Sequence, residues 1–132
     1  MKELLVLKNK ISNEDIEIIE SSLRVLKSHD KKKFIQTINR MKLIFIEIDD
    51  IQILNKISLI FSAFSIHSSV PILIGKLISG KYDNNGGTLV YSLKGLKFLD
   101  YKEELSYLWE KNISYEMKEM LKLINIYPPP AA

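Results

Sequence analysis

Glu14-Asp15, Asp49-Asp50 and Glu103-Glu104 are the three pairs of adjacent carboxylates in this chain. Two carboxylates that converge on one substrate can divide the work of a general acid and a general base. Neighbours on a helix point roughly 100° apart, so an adjacent pair does not converge. Each pair also lies where a helix would begin, and acid there meets the positive end of the helix dipole. They read as helix starts. His67 stands beside Ser65, Ser68 and Ser69 and so raises a nucleophilic triad. No GxSxG elbow is present to expose a serine, and His67 is expected in a turn or at the core edge.

The chain has no cysteine and only two histidines, His29 and His67. That composition excludes disulfides and thiolate chemistry and leaves a multi-histidine metal site unexpected. The loop from Gly80 to Gly87 is the most polar and glycine-rich stretch. It lacks the GxxxxGK[ST] pattern and follows a helix, not a strand, so it does not read as a phosphate cradle. No catalytic, metal-ligating or cofactor-binding residue is assigned. No cofactor and no small-molecule substrate is expected, and the chain does not read as an enzyme.

Two groups of residues suit binding better than reaction. Arg24, Lys27, Lys31, Lys32, Lys33, Arg40 and Lys42 form the densest basic stretch. It is either a footprint for phosphate or an acidic protein face, or a solvated helix junction with Asp30 as its counter-charge. No stacking aromatic interleaves it, because Phe34 falls on an apolar stripe. The second group is Tyr82, Tyr91, Tyr101, Tyr107, Trp109 and Tyr115, residue types enriched at protein interfaces. Tyr101 and Trp109 read as core. Tyr91 and Lys94 lie off the Leu89/Leu93/Leu96 stripe, and Tyr82, Asp83 and Asn84 lie on the glycine-rich loop. With Lys31, Lys32 and Lys33, these are the partner-binding candidates.

The elements that position them read as helices. At 132 residues, 46% hydrophobic and 27% charged, the chain can bury a core without staples. One domain is expected over residues 1–127, followed by a proline-rich tail at 128–132. A net charge of +3 permits an acidic partner without demanding one. Leu4–Leu7 is too short for the apolar region of a signal peptide. The longest uncharged run, Ile57 to Gly75, is interrupted by Ser65, His67, Ser68, Ser69 and Pro71 and bounded by Lys56 and Lys76. Two buried helices joined by a turn explain it better than a membrane span. A soluble, cytoplasmic protein is expected.

Residues 4–11 are compatible with a strand or a first helical turn. Ser12 and Asp15 resemble a capping box, with Ile16, Ile19, Leu23 and Leu26 on one face after it. Asp30 would cap the next helix, carrying Phe34, Ile38, Met41 and Phe45. Residues 43–48 are rich in strand formers, but a lone strand has no partner, which favours helix. Asp49 and Asp50 restart a helix, Ile51 to Phe64, apolar on nearly every face and expected to be central. Ser68 or Ser69 would cap a helix with Pro71 in its first turn and the stripe Val70, Leu73, Ile74, Leu77, Ile78, closed by Gly80. Helices are then expected over Thr88–Phe98, Tyr101–Lys111 and Tyr115–Ile126, with Asp100/Glu103 and Ser114 as starts. Gly86 and Gly87 would allow close approach to a neighbouring helix. The class is all-α, with about seven helices.

The second half shows one helix pair twice, Val70–Ser79 with Thr88–Phe98 and Tyr101–Lys111 with Tyr115–Ile126, about one short helical repeat apart. VPILIGKLIS, NNGGTLVYSLKGL, DYKEELSYLWEKN and ISYEMKEMLKLI resemble the outer and inner helices of bacterial proteins built from HEAT-like repeats. Asn85-Gly86-Gly87-Thr88-Leu89, followed by Leu93 and Leu96, resembles a branch of small proteins in that superfamily. The resemblance covers Val70 to Ile126, and more loosely Lys31–Phe45 as an outer helix before Asp50–Phe64. It implies an α-solenoid of antiparallel helix pairs. Many such proteins accompany toxin genes and are regarded as immunity proteins, so the resemblance implies a cognate toxin domain as partner. Nucleic-acid binding through the basic stretch, and a generic assembly scaffold, stand as the alternatives.

Overall fold

Ser12 starts the first described helix as its composition demands. Its hydroxyl accepts from the Asp15 amide at 3.2 Å, while the Asp15 carboxylate accepts from the Ser12 amide at 2.9 Å. Two otherwise orphaned amides are satisfied reciprocally. In the computed structural model, which describes residues 11–130, this helix, α1, spans Asn13–His29. Residues 4–10 lie outside the described residues. Asp30 closes α1 and caps α2, Lys31–Glu47, by accepting from the Lys33 amide at 3.1 Å. Residues 43–47 are helical, the outcome favoured by the absence of a partner strand. Asp50 then accepts from the Gln52 amide at 2.9 Å and starts α3, Ile51–Ala63.

The remaining α-helices are α4, Val70–Ile78; α5, Gly87–Ser92; α6, Lys102–Ser106; and α7, Tyr115–Leu123. Single 3-10 turns occupy His67–Ser69, Leu99–Tyr101 and Tyr107–Glu110. The fold of the described residues is all-α, with seven α-helices. Contacts group the chain into two compact units that divide between Ile57 and Ser58, within α3.

In the first unit α1 packs on α2. Ile16 and Leu23 of α1, and Thr37, Ile38, Met41, Ile44 and Phe45 of α2, are buried. Each large apolar side chain so withdrawn from water contributes roughly 1.5–3 kcal/mol before entropy is counted. Ile53, Leu54 and Ile57 bury the start of α3, but Gln52 and Leu59 are exposed, so α3 has a solvent face that its composition concealed.

In the second unit α5 and α7 share the most extensive contact, α4 and α6 are in contact, and α4 also touches α5. Several expectations are corrected here. Ser69 does not cap α4, because its hydroxyl donates to the Ile66 carbonyl at 2.7 Å in the preceding turn. Ile78, at the end of the α4 stripe, is exposed. The helix expected to reach Phe98 stops at Ser92: Leu93, Lys94 and Leu96 bond three residues back, and Gly95 turns left-handed at φ +87°. The helix expected over Tyr101–Lys111 is one α-turn between two 3-10 turns, and Asp100 makes no cap. Helix α7 ends before Ile126 because Asn125 is left-handed, at φ +65°. The Ile126 and Asn125 amides then bond the Leu121 and Lys122 carbonyls at 2.8 and 2.9 Å, a Schellman ending.

Candidate functional site

The glycine pair at the start of α5 sets the geometry of the α5–α7 contact. A Cβ on Gly86 would lie 2.7 Å from the Tyr82 carbonyl and 3.2 Å from the Met117 side chain. One on Gly87 would collide with the Glu116 side chain. With no side chain at either position, the starts of α5 and α7 lie side by side, as the sequence anticipated. The Ser114 amide donates to the Asp83 carbonyl at 2.8 Å, and the Ser114 hydroxyl accepts from the Met117 amide at 3.2 Å. Asp83 is thereby held next to Ser114, the residue before Tyr115, which is 76% exposed.

Tyr82 is corrected. Although it belongs to the loop, its side chain is only 4% exposed, because an aromatic in this turn gains more from burial than from water. It supports the loop from beneath. Asp83 is half-buried, and its Oδ1 is buried without a hydrogen-bond partner among the described residues. Asn84 is exposed. Tyr91, 41% exposed, and Lys94 are one helical turn apart, and the Lys94 Nζ sits 5.9 Å from the Tyr91 ring centroid, within cation–π range. The Lys94 carbonyl accepts from the Ser62 hydroxyl at 3.2 Å, which fixes the turn beneath that pair. Tyr101 and Trp109, read as core, are half-buried.

Lys31, Lys32 and Lys33 are exposed in the first turn of α2. The wider basic stretch does not form one patch. Arg24 is engaged by Glu20 at 2.8 Å. Arg40 and Lys42 lie farther along α2, on the order of 15 Å from the first lysines at 1.5 Å per residue. Burial pulls the Lys42 ammonium below its usual value.

Asp15, Asp50 and His67, three of the residues weighed for catalysis, hold local backbone structure. Asp15 and Asp50 satisfy helix-start amides. His67 is exposed and accepts from the Lys97 amide through Nδ1 at 3.2 Å, joining two turns of the second unit. Among the described residues no group of three or more His, Cys, Asp or Glu side chains could hold a metal ion. No helix among them is long and apolar enough to cross a membrane.

Comparison with protein-family models, curated proteins and solved structures finds no significant match to this chain. The surface must be read from its own residues. Four of the six tyrosines, Tyr91, Tyr107, Tyr115 and Tyr127, are exposed, and all four belong to the second unit. Tyr127 was not singled out by the sequence, since no helical stripe reaches it. In the first unit Ile18, Val25, Leu43 and Ile46 are exposed apolar residues that sequence reasoning passed over. The available signal was that none of them falls on the stripes assigned to α1 and α2.

Proposed function

We propose that this chain is a protein-binding module, and specifically an immunity protein that binds and neutralises a cognate bacterial toxin domain. The observation that carries the reading is the backbone tie between Asp83 and Ser114, each followed in sequence by an exposed residue, Asn84 and Tyr115. Tyr91 and Lys94 extend that surface along α5. Exposed tyrosines on a rigid helical support suit an interface, because each ring brings large contact area and a polar tip at little entropic cost. The pairing of α4 with α6 and of α5 with α7 supports a HEAT-like repeat, which presents its inner helices to a partner.

Neutralisation would proceed by occlusion: the bound module covers the toxin's active site or substrate groove. The chain's mildly basic balance suits an acidic toxin face and does not suit a decoy for a nucleic-acid groove. The test is co-purification of the full chain with the products of adjacent genes, followed by titration of Tyr91→Ala and Tyr115→Ala. A stable complex weakened about tenfold or more by either substitution supports the proposal. Absence of a complex with every adjacent-gene product counts against it. Binding to nucleic acid that falls steeply with salt and is lost on replacing Lys31, Lys32 and Lys33 would favour the second reading instead.

A further inference from the structure

The α1–α2 hairpin carries an uncovered face of its own. Val25 and Leu26 of α1 and Lys33 and Gln36 of α2 line an open groove of about 710 Å³. Val25 is 59% exposed and Ile18, seven residues earlier and so on the same side of α1, is 66% exposed. The buried Ile16 and Leu23 occupy roughly the opposite side. On α2, Leu43 is 49% exposed and lies seven residues beyond Gln36 on the same side. Because the chain reverses at Asp30, Val25 and Gln36 share one level of the hairpin, and Ile18 and Leu43 share another. The uncovered strip therefore runs along both helices, apolar through Ile18 and Val25 on α1 and at Leu43 on α2.

Charge is graded along that strip. At the turn, Lys31, Lys32 and Lys33 outnumber Asp30; Arg24 and Glu20 offset each other. At the open end, among the described residues, Glu14, Asp15, Glu17 and Glu47 outnumber Arg40 and Lys42, even with Lys56 set against Glu17 at 3.1 Å. A uniformly acidic partner would be repelled at the open end and a uniformly basic one at the turn. A partner matching both ends must carry the same gradient reversed.

We propose that this face pairs with the same face of a second copy of the chain, the two hairpins antiparallel about a two-fold axis. Val25 of one copy then lies over Ile18 of the other, and each basic turn faces an acidic open end. Such an isologous contact is self-complementary by construction. It is independent of toxin binding, which was assigned to the second unit.

Sedimentation velocity on the full chain, from about 1 to about 200 µM at moderate salt, tests the proposal. The expected result is a concentration-dependent species of twice the 15.3 kDa chain mass that weakens as salt rises. Val25→Glu, at an exposed site, should raise the dimer dissociation constant about tenfold or more with an unchanged circular dichroism spectrum. Lys32→Glu with Lys33→Glu should do the same without harming α2, since acid suits a helix start. Mixing that variant with Glu14→Lys/Glu17→Lys should restore a heterodimer. A chain monomeric throughout overturns the proposal and leaves the face to a different protein. So does a dimer indifferent to Val25→Glu, one dissociated instead by Ile78→Glu in the second unit, or charge variants that fail to pair.

Discussion

The Ser114 amide and the Asp83 carbonyl are 2.8 Å apart, so the loop before α5 and the cap of α7 are one hydrogen-bonded unit. Residues far apart in sequence thus share a fixed backbone junction. The junction leaves no room for a side chain on Gly86, at the end of the loop.

Gly86 and Gly87 should respond differently to alanine. At Gly86 the new methyl meets a backbone oxygen, Tyr82 O, which already accepts from the Asn85 amide at 3.2 Å and cannot swing aside. Gly86→Ala is expected to cost about 1–3 kcal/mol in urea denaturation. At Gly87 the nearest atoms belong to the Glu116 side chain, which is exposed and can rotate away. The cost of Gly87→Ala should stay under about 1 kcal/mol and vanish in the Gly87→Ala/Glu116→Ala double variant.

The serine caps give a second contrast. Ser12→Ala and Ser114→Ala each remove a hydroxyl that accepts a helix-start amide, and each should cost about 1 kcal/mol. Asp100→Ala, at a position that resembles a cap in sequence but makes none, should fall within about 0.5 kcal/mol of the unaltered chain. Denaturation midpoints at equal slope decide it; an Asp100→Ala cost equal to that of Ser114→Ala would contradict the assigned geometry.

These contrasts show which parts of the fold were legible. Ser12, Asp30, Asp50 and Ser114 announce helix starts because a short polar side chain next to an apolar stripe has one efficient use, and the helices followed. The stripe Leu89/Leu93/Leu96 is buried as its spacing requires, and of Met117, Met120, Leu121 and Ile124 all but the half-buried Met120 are. Lengths were less legible. Gly95 stops α5 by a left-handed turn, and a lone glycine in an apolar pattern is equally compatible with a continuing helix. At the candidate site, Tyr91 and Lys94 were visible as residues off their stripe. The burial of Tyr82 was not, because it depends on what the folded loop covers and no local spacing encodes that. Ile18, Val25 and Leu43 stand off the stripes of α1 and α2, and a stripe alone does not say what covers the residues it leaves out.

Ser65 supplies a stabilising substitution. It ends α3 in the left-handed region at φ +54°, with the Ile66 amide bonded to the Phe61 carbonyl at 2.8 Å. A residue with a Cβ is strained there by about 1 kcal/mol, and glycine is not. Ser65→Gly should raise stability by about that amount. Asn125→Gly should gain less, because asparagine tolerates this conformation. Equal midpoints for Ser65→Gly and the unaltered chain would show that no strain was relieved.

Lys42 gives a pH dependence of definite sign. Burial lowers its pKa in the folded chain below the ordinary 10.5. The unfolded chain then holds the proton more tightly, so stability rises with pH between the lowered folded value and 10.5. Below that window the burden of the buried charge is full and constant. The stability of the chain relative to a Lys42→Met variant should therefore improve as pH climbs toward 10.5 and stay flat near neutrality. Midpoint differences measured from neutral to alkaline pH read this directly, and a difference that worsens on raising pH would reverse the assigned sign.

Trp109 and Ser106 hold the end of the chain from one side. The Trp109 indole N–H donates to the Ile126 carbonyl at 3.1 Å, and the Ser106 hydroxyl donates to the Tyr127 carbonyl at 2.7 Å. Adjacent carbonyls are thus gripped from the turns around α6, while the buried Ile126 side chain anchors the same segment. Trp109→Phe keeps most of the ring's packing but leaves a carbonyl unpaired, and Ser106→Ala does the same to its neighbour. Each alone should cost about 1 kcal/mol, since the other grip still orders the segment. Once both are gone the segment has lost its hydrogen bonds to α6, and it should come free as a unit. The double variant should then depart from additivity by about 0.5 kcal/mol or more. Far-UV circular dichroism in urea measures the cycle, because the chain has only one tryptophan and its fluorescence is lost in Trp109→Phe. Strict additivity would mean that the two bonds act on independent carbonyls and that the Ile126 side chain alone secures the end.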